Sequence, residues 1–126
     1  MTTPTSTPAA VQRPWGHFEV LADESAFKLK RIVVQPGGRL SLQRHRLRQE
    51  HWFVVEGLAE VEIDTTLCAL GPGQSLNVPQ GAWHRLANAG TRALVLIEIQ
   101  TGQAFLEDDI ERAADDYGRH ASGQAS

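Results

Sequence analysis

Short segments of alternating polar and apolar residues, each ended by a turn, are the feature that most constrains the fold of this chain. The clearest turns contain glycine and proline, at residues 35–38 and 71–74, and Gly57 interrupts a further apolar run. We expect strands at residues 17–21, 27–34, 39–45, 51–56, 58–64, 67–70, 75–79, 83–87 and 93–100. Turns at intervals of roughly 8–12 residues are typical of an all-β sandwich or barrel, so the sequence predicts that class.

The segment after the last predicted strand has a different period. Its apolar residues, at positions 110, 113, 114 and 117, follow the i, i+3, i+4, i+7 spacing of an amphipathic helix. Residues 107–109 are acidic and would complement the positive end of the helix dipole. The sequence therefore predicts one short C-terminal α-helix at residues 108–117.

The length of 126 residues allows one domain with its own core and is too short for two. Residues 1–12 are rich in Thr, Pro, Ser and Ala, a composition that predicts disorder. We expect a single domain at residues 13–119, followed by a flexible tail at residues 120–126.

Charge and composition exclude several classes of function. The net charge of −3 gives no general affinity for nucleic acid or for an anionic membrane. The first residues lack the basic and apolar regions of a signal peptide, and no apolar run is long enough to cross a bilayer. Cys68, the single cysteine, cannot form an internal disulfide, so we expect a cytoplasmic protein.

Four side chains suggest a metal site. Gln43 and His45 are two residues apart and share one face of a strand, while Glu50 follows across a short polar connection. His84 is the candidate for a fourth ligand. One amide, one carboxylate and two imidazoles suit zinc, manganese, cobalt, nickel or iron(II) with open positions for a substrate. The alternative is that these are hydrogen-bonded polar residues in the mouth of a barrel.

Other charged residues have two readings each. Lys28 and Lys30 share a face with Ile32 and Val34, so they either hold a substrate phosphate inside the barrel or lie on its surface. Glu98 and Gln100 share a face with two leucines, and we expect them to line a pocket. Three arginines alternate with the candidate ligands, and for these we expect a solvent-exposed or interface role, with phosphate binding as the alternative: Arg44, Arg46 and Arg48.

Two spacings in the sequence resemble the paired motifs of the cupin superfamily. The first runs from Gly37 to Gly57 through Gln43, His45 and Glu50, with Gln43 in place of the usual first histidine. The second runs from Gly73 through residues 79–81 and His84 to Asn88 and is complete. The resemblance implies a cupin fold, which is a double-stranded β-helix or jelly-roll barrel.

The match is closer to one branch, the C-terminal isomerase domain of type II phosphomannose isomerases. It spans residues 13–119, and the shared stretches are residues 13–16, 40–45, 48–52, 75–81, 84–88, 98–102, 107–112 and 117–119. In this family the domain is usually fused to a mannose-1-phosphate guanylyltransferase, for which these 126 residues leave no room, so we expect that they do not make GDP-mannose alone. A second departure is Leu47, which stands where the family often has a further histidine.

The resemblance implies a metal-dependent aldose–ketose isomerase that interconverts mannose 6-phosphate and fructose 6-phosphate, supplying mannose for GDP-mannose and polysaccharide synthesis. One divalent metal ion would be held by Gln43, His45, Glu50 and His84. The candidates for proton transfer are Glu98, Lys30 and, less favoured, His51. The candidate phosphate ligands are Arg112, Arg85 and Lys28, with Arg112 also a catalytic candidate and Gln100 a substrate ligand.

Two other functions stay open at this point. The chain could be a non-catalytic cupin that binds a sugar phosphate and assists a separate guanylyltransferase. It could instead be a metal-dependent enzyme on another substrate, such as a sugar epimerase or an oxygenase. We also expect a homodimer, because unpaired edge strands of cupin sheets commonly pair with a second copy.

Overall fold

The computed structural model of the protein describes residues 9–118, which form eleven β-strands and no α-helix. The strands are β1 Val11–Arg13, β2 Gly16–Asp23, β3 Lys28–Val34, β4 Leu42–Arg44, β5 Arg48–Glu56, β6 Ala59–Ile63, β7 Thr66–Leu70, β8 Ser75–Val78, β9 His84–Asn88, β10 Leu94–Gly102 and β11 Glu111–Ala114. The first eight residues of the expected disordered segment and the expected flexible tail lie outside the described residues. The first strand begins at Val11, two residues before the expected boundary of the domain.

The strands form two antiparallel sheets. One has six strands in the order β1-β2-β3-β10-β5-β8, and the other has five in the order β11-β4-β9-β6-β7. Gly57 has a φ of 89° and joins β5 to β6, so the predicted break at this glycine coincides with the change of sheet. The all-β, two-layer class predicted from the turns is therefore confirmed.

The inner face of the six-stranded sheet is apolar at one end and polar at the other. At the apolar end, Ile32 of β3 and Val54 of β5 both lie opposite Leu96 of β10, and all three are buried. The second sheet packs its own buried side chains into the same core: Ala59, Val61 and Leu86. Burial of apolar area at this end stabilises the barrel by about 1.5–3 kcal/mol for each large side chain.

At the other end, the same alternation places polar groups inside. Gln100 lies opposite Lys28 on one side and Glu50 on the other, while Glu98 lies opposite Lys30 and Trp52. All of these side chains are buried. Because charged groups are rarely buried unless they are paired or bind a ligand, this end of the barrel is where a functional site is expected.

The predicted C-terminal helix is wrong. Residues 107 and 108 form a turn, and Glu111–Ala114 is a strand that pairs antiparallel with β4. The carboxylate of Asp109 accepts hydrogen bonds from the backbone N–H groups of Arg46 (3.0 Å) and Leu47 (2.9 Å), which ties this residue to the barrel. A helix of about ten residues is marginal by itself, so these tertiary bonds and the pairing with β4 decide the conformation. Within the described part of the chain, no helix is long and apolar enough to cross a membrane.

Candidate metal centre and its cavity

Three of the candidate ligands form a buried cluster at the polar end. His45 follows β4, Glu50 lies in β5, and His84 begins β9. His45 Nε2 is 3.3 Å from one carboxylate oxygen of Glu50, and His84 Nε2 is 3.9 Å from the other. A metal with ligand bonds of about 2.0–2.2 Å places its donor atoms roughly 3–4 Å apart, so these three residues could hold a metal ion.

Both imidazoles present a lone pair to the cluster. His45 Nδ1 donates to the carbonyl of Asp109 (2.6 Å), and His84 Nδ1 donates to the carbonyl of Ala82 (3.0 Å). A carbonyl only accepts, so each Nδ1 carries the hydrogen and each Nε2 is left as a donor atom for a metal. Burial, followed by the charge of Arg48, lowers the pKa of His45 to about 3, so its ring is neutral at pH 7.

Glu50 supplies the negative charge of the cluster. Burial alone would raise the pKa of its carboxyl, but His84 and the guanidinium of Arg48 bring it below the ordinary value. Arg48 Nε donates to Oε2 of Glu50 and Trp52 Nε1 donates to Oε1, each at 3.0 Å. Nη2 of Arg48 also lies 3.4 Å from Nε2 of His45, so the lone pair on Nε2 faces a cationic group. The donor set therefore fits a divalent ion.

Gln43, the fourth candidate ligand, lies next to the cluster. It is directly opposite His84 in the pairing of β4 with β9, and its side chain is half-buried. It also lines the cavity that adjoins the cluster. Its role as a ligand stays a prediction.

The cavity combines charged and apolar walls. Its cationic side chains are Arg13, Lys30, Arg48 and Arg112, and its acidic ones are Glu98 and Glu107. Trp15, Phe18, Ile32 and Leu40 supply the apolar wall, with Ser41 beside Gln43. The excess of cationic groups in a partly enclosed space suits an anionic small molecule.

Glu98 is the titratable group at the junction of cavity and cluster. One of its oxygens accepts from Gln100 Nε2 (2.6 Å) and the other from Trp52 Nε1 (3.3 Å), the same indole nitrogen that bonds Glu50. Burial and the negative charge of Glu50 raise the pKa of Glu98 to about 7. A carboxyl with that pKa gives up and takes back a proton near neutral pH.

Both lysines of β3 face the interior. Lys30 Nζ donates to Glu107 Oε2 at 2.7 Å and lies 4.2 Å from the centre of the Phe18 ring. Lys28 Nζ donates to the same carboxylate oxygen and to the carbonyl of Phe105, each at 3.3 Å. The sequence allowed the lysines to lie either inside the barrel or on its surface. The structure has both of them inside, paired with a carboxylate.

The remaining predicted site residues fall in different places. Gln100 is fully buried beside Glu98, and its Oε1 has no hydrogen-bond partner among the described residues. Arg112 lines the cavity and donates to Ser41 Oγ at 3.2 Å. Arg85 lies on the opposite face of β9 from His84 and donates to the carbonyls of Leu40 (2.9 Å) and Ala114 (3.2 Å). The fold thus brings Gln100 and Arg112 to the polar end and directs Arg85 outward.

Sequence reasoning missed two residues that the site depends on. Arg48 was grouped with the arginines expected at the surface or an interface, but it is buried and bonded to Glu50. Arg48 lies two residues before Glu50 on the same strand, and residues two apart on a strand share a face. This spacing could have predicted that Arg48 faces inward beside Glu50. Glu107 was assigned only to the first turn of a helix, and no local pattern indicates its contact with Lys30, which is distant in sequence.

Comparison with known proteins gives one family and one fold. Residues 3–115 match the family described as Mannose-6-phosphate isomerase C-terminal. The chain is 48% identical over 111 residues to the alginate biosynthesis protein AlgA of Pseudomonas aeruginosa, covering 88% of this chain and 23% of that protein. It is 46% identical over 109 residues to a mannose-1-phosphate guanylyltransferase of Escherichia coli, covering 86% of this chain and 23% of that one. The chain therefore spans less than a quarter of the length of these relatives.

Among solved structures, the cupin domain of Cnp3 from Schizosaccharomyces pombe superposes with a TM-score of 0.66 and 18% identity. That likeness covers 68% of this chain and 64% of the other. At this identity the likeness concerns the fold alone, and it confirms the cupin architecture that the two motifs predict.

Proposed function

We propose a function for this chain from the premise that it belongs to the mannose-6-phosphate isomerase C-terminal family. The function is metal-dependent interconversion of mannose 6-phosphate and fructose 6-phosphate. One observation carries the proposal: Glu98, whose pKa is raised to about 7, shares the indole N–H of Trp52 with Glu50 of the metal-type cluster. A carboxyl suited to proton transfer thus lines a cavity with an excess of cationic groups and lies beside a candidate metal centre.

Aldose–ketose isomerisation requires a proton to move between two neighbouring carbons of the open-chain sugar. We assign this transfer to Glu98, which removes the proton from C2 and returns it to C1 while the hydroxyl proton passes from O2 to O1. Lys30 lies opposite Glu98 across β3 and β10 and offsets negative charge that develops there. A divalent ion held by Gln43, His45, Glu50 and His84 would supply Lewis-acid stabilisation of the substrate oxygens.

The phosphate of the substrate requires cationic partners within the cavity. We assign it to Lys30 and Arg112, which line the cavity, and to Lys28, which shares Glu107 with Lys30. An ammonium or guanidinium forms strong charge-assisted hydrogen bonds with phosphate oxygens. Gln100 is assigned to a substrate hydroxyl, supported by its buried and unpartnered Oε1. The outward direction of Arg85 supports a structural role for that residue, between Leu40 and Ala114.

The names of the relatives support a biosynthetic pathway for the reaction. Their names concern alginate biosynthesis and mannose-1-phosphate guanylyl transfer, which supports a place for this chain in the supply of GDP-mannose for polysaccharides. We propose that a separate guanylyltransferase acts as its functional partner. The exposed, unpaired thiol of Cys68 supports a reducing compartment, the cytoplasm.

The test is a coupled assay on protein stripped of metal and then supplied in turn with zinc, manganese, cobalt, nickel and iron(II). We expect metal-dependent formation of fructose 6-phosphate from mannose 6-phosphate. Tight binding of the sugar phosphate without turnover would support the accessory role instead. Turnover of another substrate only with iron(II) and oxygen would support an oxygenase.

Metal content gives an independent test of the centre. His84→Ala removes an imidazole whose Nε2 faces Glu50, so we expect loss of bound metal in elemental analysis with the circular dichroism spectrum retained. His51→Ala is the matched control, since His51 lies on the outer face of β5 and bonds Asn77. Full metal content in the His84 variant would contradict the assignment.

A further inference from the structure

Two lysine side chains in the interior share one carboxylate oxygen. Glu107 Oε2 accepts from Lys30 at 2.7 Å and from Lys28 at 3.3 Å. The lysine side chains are 6% and 9% exposed, whereas the Glu107 side chain is 34% exposed. The ammonium groups are therefore fixed parts of the barrel interior, and the carboxylate reaches them from nearer the solvent.

The two lysines share one carboxylate oxygen. Two ammonium groups face the single negative charge of Glu107, Glu98 lies opposite Lys30 in the pairing of β3 with β10, and the charge of the nearby Arg48 is paired with Glu50. A phosphate monoester carries a charge of about −1.5 to −2 at pH 7 and offers three acceptor oxygens. Such a group would match the lysine pair better in charge and in number of hydrogen bonds than one carboxylate oxygen does.

Glu107 belongs to a segment without regular secondary structure, residues 103–110, which we call the strap. The strap crosses the polar end of the barrel: the Gln103 N–H donates to the Leu47 carbonyl (2.8 Å), and Arg48 Nη1 donates to the Leu106 carbonyl (3.0 Å). Asp109 fixes its far end through the backbone of Arg46 and Leu47. Between these anchors, Glu107 is the side chain that the strap inserts between the lysines.

We infer that Glu107 is an internal occupant of an anion site formed by Lys28 and Lys30, and that the phosphate of a bound sugar phosphate displaces it. The inference rests on the proposed function for the identity of the ligand. Glu107 then keeps two buried ammonium groups paired while the site holds no substrate, and it competes with phosphate for them. Residue 107 thereby sets the apparent affinity for the anionic end of the substrate.

The experiment compares phosphate binding by the wild-type chain and Glu107→Gln, with inorganic phosphate as the probe in isothermal calorimetry. Glutamine keeps the shape of the side chain and removes the competing charge, so we expect phosphate to bind about ten-fold tighter. Asp109→Asn is the matched control, because it loosens the strap without touching the lysines. A gain in affinity in Glu107→Gln that Asp109→Asn does not share supports the inference, and unchanged or weaker binding in Glu107→Gln overturns it.

A second measurement uses the unaltered chain and does not depend on how well a variant folds. If phosphate displaces Glu107, amide hydrogen exchange in the strap should become faster when inorganic phosphate saturates the protein. Slower or unchanged exchange there would contradict the displacement. Isomerase activity is measured separately: tighter phosphate binding without turnover under any metal would leave this inference standing and reject the proposed reaction.

Discussion

Glu98 has an unusual pKa because of its neighbours on the inner face of the sheet. Burial and the adjacent carboxylate of Glu50 raise its pKa to about 7, against the opposing charge of Lys30. An exposed glutamate at the same point of the sequence would be fully ionised and a weak base at neutral pH. Glu98 therefore has a pKa suited to proton transfer because β10 lies between β3 and β5, where its carboxyl is buried beside Glu50.

This leads to a prediction for Glu98→Gln. The amide keeps the side chain's volume but cannot take up a proton, so we expect kcat for isomerisation to fall by about 100-fold or more. KM for mannose 6-phosphate should change much less, since the phosphate ligands are other residues. Steady-state kinetics on the metal-loaded protein measures both constants.

Glu56→Gln is the matched control for that prediction, because Glu56 is an exposed carboxylate at the end of β5. It should retain the wild-type kcat. Comparable turnover in Glu98→Gln and Glu56→Gln would exclude Glu98 as the proton-transfer group.

At the scale of single residues, strand alternation accounts for much of the candidate site. Alternation explains why Gln43 and His45 share a face, but Glu50 lies in the other sheet, so the cluster of His45, Glu50 and His84 was predicted from the two cupin spacings rather than from alternation. The same rule applied to Arg48 would have placed it inside beside Glu50. Glu107 had no such signal, because its contact with Lys30 joins positions 77 residues apart.

At the scale of elements, the strands were predictable and the C-terminal segment was not. The period-2 alternation in β3 and β10 decided both secondary structure and which side chains face inward. In residues 108–117 the helical spacing of apolar residues competed with pairing to β4, and the pairing prevailed. The local period of the sequence carries no information about the hydrogen bonds that Asp109 accepts from the backbone after β4, because these join residues that are distant in sequence.

The strap gives a prediction about stability and pH. Burial acts to raise the pKa of Glu107, but the charge and hydrogen bond of Lys30, and then those of Lys28, lower it below the ordinary value. A carboxyl with a depressed pKa in the folded state stabilises the protein above its unfolded pKa, and this contribution is lost as pH falls through the folded pKa. We expect wild type to be more stable than Glu107→Gln at pH 7 and the difference to shrink below about pH 4.5.

Urea denaturation of both proteins across pH 3–7 measures the difference in their free energies of unfolding. The contributions of the carboxyl groups that both proteins contain cancel in this difference. A difference in the free energy of unfolding that stays constant over the whole range would show that the charge of Glu107 does not stabilise the strap.

At the scale of the whole molecule, the outer face of the six-stranded sheet carries exposed apolar side chains that could bind a second copy of the chain. Phe53 and Val55 on β5 are 42% and 41% exposed, and Phe53 lies opposite Ile97 of β10. Neighbouring β8 is an edge strand, so its outer backbone groups lack a partner strand within the described residues. Apolar side chains beside an open edge are typical of a surface that pairs with a second copy.

We therefore predict a homodimer formed through this face and the adjoining edge, with a light-scattering mass of two chains. Phe53→Glu would bury a charge in the contact, so we expect this variant to have the mass of one chain while its circular dichroism spectrum is retained.

Leu67→Glu is the matched control: Leu67 is 66% exposed but lies on β7 of the other sheet, so the dimer should persist. A wild-type mass of one chain would reject the dimer. Dissociation of Leu67→Glu alone would instead move the contact to the five-stranded sheet, whose edge β7 is equally open among the described strands.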